Sequence, residues 1–286
     1  MKIFLNIIVV LIIGIKTTTA QFGFVKKAEI EKFKDTRLVV VLFADSAYNA
    51  SIKKAVETYW TFNSGFVFVY DTAIKSYNKP EFSFLTFAKS KKSNKTKVKL
   101  GSSEDDFNGL LITKKFKKRS KIDEIIANAY CSNIIDTNDW YPELIRGVQI
   151  LNNFFNYAVV AKGDKEISAP YMMNNYPSDI SLLGNKKLLV EERMLIMKGK
   201  EDASFIYGNE VEEVEREEIY KAILSQNSDI AYVYSVFNEK FCDKIYISAA
   251  NSDVMHFSSS SIEKCKCEAK DLKSLRLRIE KTTKSK

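Results

Sequence analysis

Four thiols and one imidazole are the groups in this chain best suited to redox, metal or nucleophilic chemistry: Cys131, Cys242, Cys265, Cys267 and His256. Cys265-Lys266-Cys267 with His256 nearby offers soft ligands, but the spacing is not that of a zinc site. A dithiol redox site would put Cys-x-x-Cys at the start of a helix that follows a strand, and the matching place near Ala44 to Ala47 holds no cysteine. Four cysteines allow three pairings. One intervening residue strains a direct Cys265–Cys267 bridge, so each of these is expected to pair elsewhere or stay free. If Asn251-Ser252 forms a hairpin turn, Ile247 lies opposite His256 and alternation turns Cys242 to the other face, which disfavours a Cys–His pair. No metal, cofactor or catalytic residue is assigned.

Carboxylates crowd into Glu210, Glu212, Glu213, Glu215, Glu217 and Glu218. On an expected helix over 210–225 they would fan outward, whereas a calcium loop converges its ligands from a turn, so the reading is a solvated face. The ten glycines build no Gly-x-Ser-x-Gly, no Gly-x-Gly-x-x-Gly and no phosphate loop. A serine hydrolase of the common type is disfavoured.

Lysine supplies the other concentrated chemistry. Six lysines fall in the eleven positions Lys89 to Lys99, and six basic residues in the eight positions Lys114 to Lys121. Residues 21–130 carry a net charge of +9, and residues 131–286 one of −3. Blocks of this kind attract phosphate-rich surfaces. The residues that would serve are Lys89, Lys91, Lys92, Lys95, Lys97, Lys99, Lys114, Lys115, Lys117, Lys118 and Arg119, with a solvated loop as the plainer alternative. Nucleic acid is disfavoured as a partner, because readers of single strands interleave stacking aromatics and here only Phe116 interrupts the second block.

The elements that must position these groups follow from periodicity. Arg37 to Phe43 reads as a strand buried on both faces. Ser46 is an expected N-cap, followed by a helix with Tyr48, Ile52, Val56 and Tyr59 on one face. Gly65 to Tyr70 returns as a strand, which completes a β-α-β unit, and Phe82 to Phe87 and Gly109 to Thr113 are further strands. Asp139 to Ala161 is the longest expected helix, with Leu144, Val148, Leu151, Phe155 and Val159 forming its apolar stripe.

A connection rich in Gly, Pro, Ser and Asn covers 162–185. Beyond it the pattern resumes with strands over Lys187 to Met197 and Asp229 to Phe237 and a hairpin of Lys244 to Ala249 with Val254 to Ser258. Leu275 to Ile279 alternates as a short edge strand would. The fold class is therefore α/β: a mixed sheet with flanking helices, in two β-α-β-β halves joined by a long helix. The organisation is a leader over 1–20, a basic half over 21–161, the connection 162–185 and a slightly acidic half over 186–286.

Met1-Lys2, the apolar run Ile3 to Ile15 and the small residues Thr17 to Ala20 have the layout of a secretory signal peptide, with cleavage expected between Ala20 and Gln21. Thirteen apolar residues fall short of the roughly 20 that span a bilayer. The mature chain would hold 266 residues with a net charge of +6, long enough for a substantial core. The Thr19-Ala20-Gln21 junction, the Lys/Asn/Ile-rich composition and the RLVVVLF-helix-VETYW-strand opening resemble uncharacterised exported proteins of Bacteroidota over residues 1 to 70. That resemblance implies periplasmic or cell-surface residence and carries no activity or site residues with it. Two Asn-x-Ser/Thr sequons, at Asn49 and Asn94, leave a eukaryotic source open.

Together these features favour an exported, periplasmic or extracellular, non-enzymatic binding or envelope-associated protein, its partner an envelope protein or an anionic surface. The alternatives are peripheral attachment through the lysine blocks, or an extracytoplasmic enzyme with a non-standard site.

Overall fold

The computed structural model describes residues 27–89, 108–116, 125–131, 139–161, 180–197, 202–237 and 241–285. The expected signal peptide, its cleavage point at Ala20-Gln21 and most of the connection 162–185 lie outside the described residues.

The architecture is α/β, with two five-stranded mixed sheets. In the first half, α1 (Lys27–Lys34) leads into β1 (Arg37–Leu42), α2 (Ser46–Tyr59), β2 (Phe66–Tyr70), β3 (Phe82–Lys89), β4 (Asn108–Thr113) and β5 (Ile125–Tyr130). The strand order is β2-β1-β3-β4-β5. β1 pairs in parallel with both β2 and β3, and β4 is antiparallel to both its neighbours. The helix α3 (Trp140–Val160) follows.

In the second half come β6 (Lys187–Glu191), the two-residue β7 (Leu195–Ile196), α4 (Ala203–Tyr207), β8 (Val211–Val214), α5 (Arg216–Leu224), β9 (Ile230–Phe237), β10 (Phe241–Ser248), β11 (Val254–Ser261), the two-residue β12 (Cys267–Glu268) and α6 (Ala269–Lys284). Read from its β8 edge, this sheet runs β8-β6-β9-β10-β11, with β6 parallel to β8 and β9 and β10 antiparallel to its neighbours. Both halves thus share one strand order and one set of directions. Their crossovers differ: the long helix lies between the first two strands in the first half and between the second and third large strands in the second.

The helix α3 lies between the sheets. One continuous core holds Leu38, Val40, Leu85 and Ile112 from the first sheet, Tyr232, Tyr234, Ile245 and Ile247 from the second, and Leu144, Val148, Leu151 and Phe155 from α3. Alternation sends the intervening residues outward. Val39, Val41 and Phe84 form a small cluster on the far face of the first sheet. Leu188, Val190, Ala231 and Val233 meet Leu272, Leu275 and Ile279 of α6 on the far face of the second. Fifteen of the 21 residues of α3 are buried. The single stripe read from the sequence therefore understates a helix packed nearly all round.

Several expected elements are corrected. Asp45, not Ser46, caps α2, its side chain accepting the Tyr48 N–H. The stretch 187–197 breaks at a turn around Arg193, whose φ is 67°. The acidic run 210–225 divides, because Val211 and Val214 suit a strand and Glu215 is extended as the N-cap of α5. Leu275 to Ile279 lies inside α6 and is not a strand: Leu272, Leu275 and Ile279 recur at helical spacing, and Glu268 and Asp271 form a capping box. The strand β5 and the helix α1 were not anticipated.

Gly109 is needed by β4, since a Cβ there would run into the Ala129 carbonyl of β5. Asn49, the first sequon residue, is 8% exposed and its amide is engaged with the backbone of Phe43.

Candidate functional site

An arginine among apolar residues on α3 is the most demanding feature of the interior. Arg146 and Glu143, one turn apart, are each 1% exposed and form an ion pair. Glu143 also accepts from the Tyr220 hydroxyl at 3.1 Å, while Arg146 donates to the Tyr130 carbonyl at 2.9 Å and stacks 3.5 Å from the centroid of the Tyr234 ring. One cluster thereby ties β5, α3, α5 and β9 together. Burial works against the charge of Arg146, and Glu143 with Tyr234 and Tyr232 more than offsets it, so its pKa rises. Beside it Arg216 pairs with Glu191 at 2.6 Å, both partly exposed. The cavity among these groups measures about 10 Å³, room for at most one water. This is a charge lock between two layers, not a ligand pocket.

A larger space lies where α5 stands off the sheet. Lys187, Leu189, Glu212, Val214, Glu218, Lys221, Ala222, Ser225, Asn227 and Ile230 line a groove of about 410 Å³, within the size range of small-ligand sites. Its floor is apolar and its rim carries both signs. Lys187 bonds Glu210 at 2.7 Å and Glu212 at 2.5 Å, and Lys221 bonds Glu218 at 2.5 Å. Exposed pairs of this kind are screened by solvent and contribute little, so they leave the rim free to rearrange. The expected solvated acidic face is thus a strand edge and a helix flanking a groove.

The sulfur chemistry resolves into a strap across β10. Cys242 and Cys265 form a disulfide, with Cα atoms 5.1 Å apart. Two residues on, Lys244 is fully buried and its amine binds Asp271 at 2.7 Å and the carbonyls of Lys264 and Lys266 at 3.2 and 3.0 Å. Those contacts use all three ammonium donors. Cys267 is a buried thiol beside Tyr246. Burial first, then Asp271, pushes it up to about 11; burial first, then Glu143, pushes the other free thiol, Cys131, up to about 12. Both are protonated at neutral pH, the opposite of an activated nucleophile.

The hairpin register also differs from expectation. Tyr246, not Ile247, lies opposite His256, because a bulge falls between Tyr246 and Ile247 and the turn runs through Ser252 at φ 55°. Cys242 therefore shares the face of His256, four residues or about 13 Å along the strand from the His256 partner, with its sulfur in the bridge. Burial, and then Arg278, drive His256 down to about 4, so it is neutral at pH 7. Among the described residues no group of three or more His, Cys, Asp or Glu side chains could hold a metal.

Of the lysines singled out in the sequence, Lys91, Lys92, Lys95, Lys97, Lys99, Lys117, Lys118 and Arg119 lie outside the described residues. Lys89 ends β3 opposite Asn108, the first residue of β4, whereas Lys114 follows Thr113, its last. Lys89 and Lys114 therefore leave the sheet at opposite ends of β4. Lys114 is paired with Glu29 at 2.6 Å, and Lys115 is exposed.

Compared with known proteins, the chain matches no family model, no curated protein and no solved structure. The buried pair could have been suspected from Glu143 and Arg146 at i, i+3 within an apolar helix. The groove left no such trace, because its residues come from four separate segments.

Two outcomes follow from these environments. Arg146→Met, which strands Glu143, should cost about 3–5 kcal/mol in urea denaturation, and adding Glu143→Leu should recover part of that loss; additive losses would show that the two residues do not act as a pair. His256 has its pKa lowered from 6.5 to about 4, so between those values the unfolded chain binds the extra proton. Stability should fall as the pH drops from 6.5 towards 4, by an amount on the order of 3 kcal/mol, and His256→Gln should flatten that limb of the stability curve.

Proposed function

We propose that this is an exported protein that works by binding rather than by catalysis. The observation that carries the reading is the state of the reactive groups among the described residues. Glu143 is engaged by Arg146 and Tyr220, Lys244 has its donors filled, His256 is held neutral, and both free thiols are held protonated. Acid–base and nucleophilic catalysis need such groups with pKa values near the working pH and a free coordination direction.

Two further features support the proposal. The Cys242–Cys265 bridge suits an oxidising compartment, in keeping with the leader expected over 1–20 and with the resemblance to exported Bacteroidota proteins. The groove beneath α5 supplies a recess of ligand size with an apolar floor and polar rim. Among the described residues no helix is long and apolar enough to cross a membrane.

The test is to recover the protein from outside the cytoplasm, measure its intact mass without reduction, and assay it against hydrolase, transferase and redox substrate panels. The expected result is a chain beginning at Gln21, one disulfide, two thiols that alkylate only after denaturation, and no turnover. A full-length mass starting at Met1 in the membrane fraction would overturn export. Turnover abolished by a single polar substitution would overturn the binding reading.

A further inference from the structure

The two sheets end differently. At the β8 edge, the outward N–H and C=O of Val211 are both occupied by the Ser204 hydroxyl, at 3.0 and 3.4 Å, and Glu212 and Glu213 are exposed on the strand. Short length, a capping side chain and like charges are the usual protections of an edge against another strand. The β2 edge has no capping side chain and no charged residue on the strand itself.

β2 reads Phe66-Val67-Phe68-Val69-Tyr70, without a charge, a proline or a glycine. Its register with β1 is parallel, and the bonds Leu38 N–H to Gly65 O and Asp71 N–H to Leu42 O fix which residues face β1. By alternation these are 65, 67, 69 and 71. The N–H and C=O groups of Phe66 and Phe68 and the N–H of Tyr70 therefore point away from the sheet. Among the described residues none of these five groups has a partner. Phe66, Val67 and Phe68 are only partly covered, Val69 is buried, and Tyr70 is 52% exposed.

We infer that β2 is a self-association edge and that its occupant is β2 of a second copy of this chain, paired antiparallel about a two-fold axis at Phe68. Backbone and side chains both select this register. In an antiparallel ladder, residues that direct both backbone groups at the partner form the hydrogen-bonded pairs. Centring the axis on Phe68 pairs Phe68 with Phe68 and Phe66 with Tyr70; this uses both groups of Phe68, the Tyr70 N–H and the Phe66 C=O, while the Phe66 N–H shares the Tyr70 carbonyl with the Ala73 N–H. The same register sets Val67 opposite Val69. One face of the joint then carries an aromatic ladder, a cross-strand combination that stabilises sheets, and the other carries valine pairs. The segment is close to a palindrome about Phe68, as an isologous contact requires. In the dimer the two five-stranded sheets run on as one.

Charge modulates the contact. The Lys53 amine lies 5.9 Å from the centroid of the Phe68 ring, so two such amines flank the central pair, and each mature chain carries a net charge of +6. Added salt screens that repulsion and should tighten the dimer, whereas attachment to an anionic surface would weaken with salt.

Sedimentation velocity of the mature protein over about 1–100 µM, combined with amide hydrogen exchange, tests the inference. The expected result is a reversible monomer–dimer equilibrium that strengthens with salt. Protection of the Phe66, Phe68 and Tyr70 amides should rise with protein concentration, while Val67 and Val69, already bonded to β1, stay unchanged. Phe68→Lys, which sets two like charges on the axis, should return the protein to monomer with its circular dichroism spectrum retained. Tyr70→Lys, at a more exposed position, gives the same readout if the first variant is unstable. A monomer at every concentration and salt, a dimer that survives both substitutions, or concentration-dependent protection elsewhere than β2 would overturn it.

Discussion

Placing Arg146 in the middle of an apolar helix obliges everything around it to supply compensation. An unpaired buried charge costs several kcal/mol or more, so Glu143 must lie one turn away, Tyr220 must reach over from α5, and Tyr234 must present its ring face. The Tyr130 carbonyl of β5 takes a further donor. Because these partners belong to both halves of the chain, neither sheet can satisfy the cluster alone. The β10–β11 turn adds a second key to the same helix: Ser252 donates to Gln149 at 2.7 Å, and Asn153 reaches the Asn251 carbonyl and the Asp253 carboxylate at 2.9 Å each. Specific polar contacts thus fix how two similar sheets sit against one helix, where apolar packing alone would allow sliding.

Much of the fold was legible because strands buried on both faces write themselves as apolar runs. RLVVVL and IAYVYSVF were readable for that reason, FVFVY was readable as an apolar run although it is a partly covered edge strand, and α3 was readable from its length and its proline in the first turn. The errors have local causes. Leu275-Arg276-Leu277-Arg278-Ile279 alternates over five residues but also fits a helical face once Leu272 is included, and the wider window decides. The acidic run at 210–218 concealed two elements, because glutamate covers the solvent side of both a strand and a helix. Register in the β10–β11 hairpin turned on a bulge and on a serine at positive φ, neither of which has a distinctive residue type here.

The candidate site was less legible than the fold. Chemistry-bearing residues attract attention by type, yet Cys267, Cys131, His256 and Lys244 are all spent on packing or on the strap across β10. What remains available is geometric: a groove assembled from four segments, and an edge strand whose hydrogen-bonding groups face outward. Neither is written in composition. The edge becomes visible only when the β1–β2 register shows which backbone groups are already used.

Through the buried Arg146 cluster, α3 should make the two sheets one cooperative unit. Both tryptophans, Trp60 and Trp140, belong to the first half, whereas far-ultraviolet circular dichroism reports on both sheets. Urea unfolding followed by the two signals should give superimposable single transitions with one midpoint. A tryptophan transition displaced from a biphasic dichroism curve would mean that the halves unfold separately, and would contradict the claim that the buried Arg146 cluster binds them together.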